Sequence, residues 1–223
     1  MISQAIVASM APVIETLLSS LPRGRVALLL RHAERGPITD PKRSAEVSLT
    51  AVGLASARSL GGEIGALLRG EPVTVAYSPV LRCEQTARAL VAGLRARGAK
   101  ARPAGPRGSL FGPYLRDRDA VLALATQPGA DFLRDWFDGR VASGLIDSVE
   151  SAARSMVEDA VAALGDARFV APVSHDWNVM LLRQHLFGLR HEEIGGVGYL
   201  EGVALVPTQR GVLACYGDRV VDL

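Results

Sequence analysis

Arg25-Val26-Ala27-Leu28-Leu29-Leu30 runs straight into Arg31-His32-Ala33-Glu34-Arg35. A short apolar run between a turn containing proline and glycine and a polar cluster reads as a strand buried on both faces, with the charged residues at its exit. A turn-rich loop through Pro37, Asp40 and Pro41 follows, and Thr50 is placed to cap a helix over about 51–68 whose apolar face is Val52, Ala55, Leu60, Ile64 and Leu67, ending at Gly70. Pro72 to Tyr77 is a second strand with Ser78-Pro79 at its exit, followed by a helix from about Leu81 to Arg97 that closes at Gly98. Arg168 to Ser174 is a third strand, and its exit carries His175-Asp176. A helix over about 147–164 precedes it, another from about Asn178 to Leu186 follows, and short strands near Val203–Val206 and Val212–Tyr216 complete the chain.

Strands alternating with helices predict an α/β protein with a largely parallel sheet covered by helices, in which ligands bind beyond the carboxyl ends of the strands. Between about 102 and 144 the pattern changes to prolines and glycines (Pro103, Pro106, Gly108, Gly112, Pro113) and then to Phe132, Trp136 and Phe137, which we read as an insertion that caps the site. The whole of 1–223, insertion included, is read as one domain. Its 48% hydrophobic and 22% charged residues suffice for an ordinary core, and a net charge of +2 argues against a nucleic-acid partner held by a broad basic face. Cys83 and Cys215 form no C-x-x-C pair, so neither a disulfide framework nor a thiolate zinc site is indicated. Met1 to Leu21 lacks a basic start and is interrupted by Gln4, Glu15 and serines, so it reads neither as a secretory signal nor as a membrane span, and the expected location is the cytoplasm. The spacing of Ile2, Ile6, Met10, Val13, Leu17 and Leu21 predicts an amphipathic helix that packs on the body or on a second subunit, which makes a homodimer an expectation.

If the three strand exits converge, Arg31, Arg35, Arg82, His32 and His175 make one cationic pocket. Arginine suits a tetrahedral dianion, because its planar fork forms paired charge-assisted hydrogen bonds and its charge survives at any working pH. Like charges disfavour imidazolium, so a histidine in that field is more often neutral and nucleophilic. The chemistry this suggests is phosphoryl transfer through a phosphohistidine. His185 and His191 have no ligand spacing, and His185 is expected to be packed on an apolar helix. Lys42, Arg43, Arg107, Arg116 and Arg118 read as solvated surface charge, and Asn178 as a helix cap.

The order of these segments resembles the histidine phosphatase superfamily. Arg31-His32-Ala33-Glu34-Arg35-Gly36-Pro37 is similar to its R-H-G-x-R-x-P motif, and Leu49-Thr50-Ala51-Val52-Gly53 to its L-T-x-x-G helix start. Ser78 to Ala87 resembles its S-x-x-x-R-x-x-Q-T-A segment, and Ser174-His175-Asp176 its second-histidine motif in the His-Asp form of the acid phosphatase branch. The resemblance implies a three-layer α/β/α sandwich like phosphoglycerate mutase, with a mostly parallel central sheet and a small cap. It implies His32 as the residue that becomes phosphorylated, with Arg31, Arg35, Arg82 and His175 on the phosphoryl oxygens. Asp176 is implied as the proton donor, with Asp117 and Asp119 as the alternatives. The substrate is then a small phosphorylated molecule, and no metal or other cofactor is implied. A mutase-like phosphotransferase and a non-catalytic binder of phosphorylated ligands are the competing expectations. Ala33, which stands where the family usually has glycine, carries a Cβ that is expected to crowd the phosphate or to require a slightly different backbone path.

Overall fold

The computed structural model describes residues 15–16, 24–129 and 131–223, so the amphipathic helix expected over 1–21 lies, apart from Glu15 and Thr16, outside the described residues. Seven strands form one sheet: β1 (Val26–Arg31), β2 (Pro72–Tyr77), β3 (Lys100–Pro106), β4 (Phe169–Ser174), β5 (Gly202–Pro207), β6 (Val212–Tyr216) and β7 (Arg219–Asp222). Their order is β3-β2-β4-β1-β5-β6-β7. β3, β2, β4 and β1 pair in parallel, whereas β5, β6 and β7 add by antiparallel pairing. Because β6 is antiparallel to β5, it runs with β1, so most strands of the sheet share one direction.

The helices are α1 (Ala51–Leu67), α2 (Leu81–Ala96), α3 (Arg118–Ala125), α4 (Phe132–Phe137), α5 (Val149–Ala162), α6 (Asp176–Phe187) and α7 (His191–Ile194). Strand β1 explains why they form two layers. Its side chains alternate, and Val26, Leu28 and Leu30 enter one core with Ile64 of α1 and Leu90 of α2. Ala27 and Leu29 enter a second core with Met156 of α5 and Leu181 of α6. A strand that is apolar at every position has no face to give to water, and the continuous run in the sequence is the trace of that burial. The architecture is therefore the expected three-layer α/β/α sandwich with a mixed, mostly parallel sheet.

The expected insertion needs correction at its start. Residues 102–106 belong to the edge strand β3, which pairs with β2 through a register shift at Val75/Ala76. Prolines within a strand suit a sheet edge, where one side of the backbone has no ladder to complete, and for that reason the Pro-rich composition misled. The remainder forms α3, α4 and connecting loops, with Phe132 and Trp136 buried in the second core. Two further corrections concern α6. It starts at Asp176 with His175 as its N-terminal flanking residue, so Asn178 is not a cap, and His185 is exposed instead of packed. Among the described residues no helix is long and apolar enough to cross a membrane.

Candidate active site

Hydrogen bonds that continue past the strand ends bring the exits of β1, β2 and β4 together. The His32 amide donates to the Ser174 carbonyl at 2.9 Å, and the Ser78 amide donates to the Val173 carbonyl at 2.9 Å. His32 and His175 are thereby both buried, with ring centroids 5.7 Å apart and planes at 71°. Arg82, in the first turn of α2, spans them: its Nε donates to His32 Nε2 at 3.0 Å, and its Nη2 lies 3.3 Å from His175 Nδ1. Its Nη1 donates to the Ser44 carbonyl at 2.7 Å, which fixes the plane of the guanidinium.

These partners settle where the ring protons sit. A carbonyl only accepts, so His32 Nδ1, 2.8 Å from the Ala33 oxygen, carries the hydrogen and Nε2 is left with a lone pair. A guanidinium only donates, so His175 Nδ1 is an acceptor and its Nε2–H donates to Ser78 Oγ at 2.8 Å. Both imidazoles are neutral in this arrangement. Burial is the main cause, and it pushes each of them down to about 3. Arg82 adds like-charge repulsion at both rings, and Arg31 and Arg35 do the same at His32.

The other predicted residues converge on the same place. Arg31 lies with its guanidinium carbon 4.3 Å from the centre of the Tyr199 ring and pairs with Asp176 at 3.1 Å, while its Nη1 donates to the Val197 carbonyl. Arg35 donates to the Gly36 carbonyl at 2.8 Å. Asp176 lines a cleft of about 300 Å³ together with Arg82 and His175. Asp117 does not line it; its carboxylate accepts from the Ala120 amide at 3.0 Å and caps α3. Asp119 is exposed in the first turn of that helix.

Ala33 is fully buried, and its methyl belongs to the α1/α2 core, not to the cationic cup, which corrects the expectation that it crowds the phosphate. Its amide donates to Thr86 Oγ1 at 3.0 Å, so the loop is held from below. The Leu49–Gly53 stretch holds it from the side. Thr50 Oγ1 donates to Glu34 Oε1 at 2.6 Å and accepts from the Gly53 amide at 2.9 Å, while Gln85 Oε1 accepts from the Leu49 amide at 2.7 Å.

Three contributors stand outside the expected site residues. Tyr199 stacks under Arg31 and also stands 5.9 Å from the His32 ring, and Ser78 holds His175. Asn178 is buried and ties the cap down, donating to the Leu110 carbonyl at 3.1 Å and accepting from Tyr114 Oη at 2.5 Å. Away from the cup, Asp131, His191 and Glu192 place potential ligand atoms within 4.8 Å of one another. Arg134 and Arg190 already pair with Glu192 at 3.2 and 3.1 Å, so that group sits in a cationic setting that disfavours a metal ion.

No protein-family model and no curated protein sequence matches the chain. Solved structures do. A structure described as mycobacterial hydrolase 1 is 19% identical, aligns over 90% of this chain and 100% of its own, and gives a TM-score of 0.54. The ecdysone phosphate phosphatase of Bombix mori in complex with tungstate is 17% identical over 82% of this chain and 92% of its own, with a TM-score of 0.51. Mycobacterial glucosyl-3-phosphoglycerate phosphatase complexed with VO3 is 20% identical over 81% and 90%, with a TM-score of 0.50. At such identities the likeness shows architecture alone: the chain shares the phosphoglycerate mutase-like α/β/α fold of these structures.

Proposed function

We propose that the chain is a phosphomonoester hydrolase that works through a phosphohistidine on His32. The observation that carries this reading is the buried His32 Nε2 lone pair, which faces Arg82 at 3.0 Å while Nδ1 is committed to a carbonyl. As a phosphoryl dianion enters, the N–H groups of Arg31, Arg35 and Arg82 turn to its oxygens and free that lone pair. Nε2 attacks phosphorus, and the bond to the ester oxygen breaks. Asp176, released from Arg31 beside a dianion, takes up the proton that it hands to the departing oxygen. It then removes a proton from water, the hydroxide displaces the histidine from phosphorus, and orthophosphate leaves. The arginines neutralise the equatorial charge throughout.

Two of the three similar structures described above are phosphatases, which supports hydrolysis over transfer to a second hydroxyl. The packing of the Ala33 methyl in the core removes the main reason to read the site as a decayed binder. The test is to mix the chain with a labelled phosphomonoester and quench into alkaline denaturant, where phosphohistidine survives. Label on His32 is expected, and its absence during turnover would refute the mechanism.

A further inference from the structure

Beyond the phosphate-binding end, the cleft is walled by carbon. Ile38 and Phe111, Leu115 and Trp177, and Val121 and Leu122 of α3 line it, and the whole space is about 300 Å³. Several of the polar groups among the described residues that line it are spent inside the walls. The Asn178 amide bonds Leu110, Ser174 and Tyr114. Asp176, paired with Arg31, and Arg82, whose N–H groups reach His32, His175 and Ser44, belong to the phosphate-binding end. Arg118 lies with its guanidinium carbon 4.5 Å from the centre of the Phe111 ring and, stacked there, extends that aromatic surface.

We infer that the cleft takes the alcohol part of the substrate and selects an apolar, aromatic-bearing group of one or two rings. This rests on the phosphatase reading and names its substrate class. A sugar phosphate brings several hydroxyls, and each one moved from water to a carbon wall without a partner loses affinity. An aryl group loses nothing and removes apolar surface from water on both sides. The space is too small for a folded peptide segment but accommodates a ring.

Phosphonate analogues separate binding from turnover. In titration calorimetry, 2-phenylethylphosphonate is expected to bind on the order of 10- to 100-fold more tightly than 2,3-dihydroxypropylphosphonate, as burial of a phenyl ring implies. Ile38 and Leu122 are 36% and 44% exposed, so Ile38→Ser and Leu122→Ser should fold, which a cooperative thermal melt verifies. Each is expected to reduce the ratio several-fold. A wild-type ratio near one, or a ratio unmoved by both substitutions, overturns the inference. Turnover of the two matching phosphate esters, both esters of aliphatic alcohols, is scored separately. If neither is hydrolysed, the phosphatase reading falls, while the phosphonate ratio still judges the cleft.

Discussion

Arg82 and His32 form the central relationship of the site: the guanidinium donates from Nε to the imidazole Nε2 at 3.0 Å, the nitrogen that carries the phosphoryl group in the proposed mechanism. One side chain thus adds to the burial that keeps His32 unprotonated, touches the second histidine and is anchored by the Ser44 carbonyl.

Replacement of Arg82 should therefore remove more than a charge. For Arg82→Ala, kcat/KM is expected to fall by roughly two or more decades, as for the loss of other preorganised charge-stabilising donors. Arg82→Lys should recover little, because a single ammonium cannot reach His32, His175 and Ser44 from one plane. Steady-state kinetics on any turned-over phosphomonoester decide this, and near-normal rates in Arg82→Lys would show that the planar fork is unimportant.

Phosphate binding should be coupled to proton uptake. His175 presents a lone pair at Nδ1 and its pKa is held at about 3 by burial and by Arg82, so it meets a phosphoryl oxygen as an acceptor facing an acceptor. The bound dianion reverses that balance and favours the imidazolium, which donates from Nδ1. Between the folded-state value near 3 and the ordinary value of 6.5, the free protein lacks a proton that the complex holds. Calorimetric titration at pH 6 with sulfate, a tetrahedral dianion that carries no proton of its own at that pH, in buffers of different ionisation enthalpy, is expected to show net uptake. Equal observed enthalpies in all buffers would contradict it.

The same depressed histidines set a stability slope. Unfolding exposes both rings, which then titrate near 6.5, so below that pH the unfolded chain binds more protons than the folded one. The stabilisation is complete above pH 6.5 and is lost as pH falls toward 3. The Tm is expected to drop between pH 7 and 5, where most carboxylates are still ionised, and orthophosphate should flatten the drop. A Tm independent of pH over this range would mean that the rings are not buried neutral.

Much of this was legible in the chain because its strands are buried on both faces and end in charge. The run Val26–Leu30 and the clusters at Arg31, Ser78 and His175 carry direction as well as burial, so both fold class and cup follow from them. What escaped had physical reasons. The edge strand β3 is built of Lys100 to Pro106, whose prolines and glycine mimic a loop. Tyr199 reaches the site from a turn far along the chain, and a lone tyrosine has no periodicity to mark it. The sequence pattern places Asn178 as a cap, two residues past the true start of α6 at Asp176; its amide instead lies inside, bridging the helix to Leu110 and Tyr114. The apolar cleft depends on Ile38 and Leu122 meeting across loops, which no local pattern records.

Gly53 shows how the helix start serves the catalytic loop. A Cβ there would lie 2.1 Å from the Glu34 carbonyl oxygen, so only glycine lets α1 approach the backbone that carries His32. Gly53→Ala gains helix propensity but forces the two segments apart, and a net destabilisation of roughly 1–3 kcal/mol is expected from overpacking. Thermal melts should show it together with a lowered kcat. An unchanged Tm with full activity would imply that the loop has room to move away.

Asp176 and Asp117 make the sharpest contrast among the acids, since one lines the cleft beside His175 and the other caps α3. If Asp176 protonates the departing oxygen, Asp176→Asn should slow alkyl phosphates by at least two decades, because an alkoxide leaves poorly without a proton. A nitrophenyl ester needs little protonation, so its phosphorylation step should suffer far less, and the phosphohistidine should accumulate because the general base for water is also gone. Asp117→Asn keeps a capping oxygen and should change neither rate nor leaving-group dependence, while Asp117→Ala should cost about 1 kcal/mol of stability. Rapid-quench kinetics across leaving groups separate the two carboxylates. Equal losses for alkyl and nitrophenyl esters in Asp176→Asn would assign that residue to holding Arg31, its partner at 3.1 Å, and send the search for the acid elsewhere in the cleft.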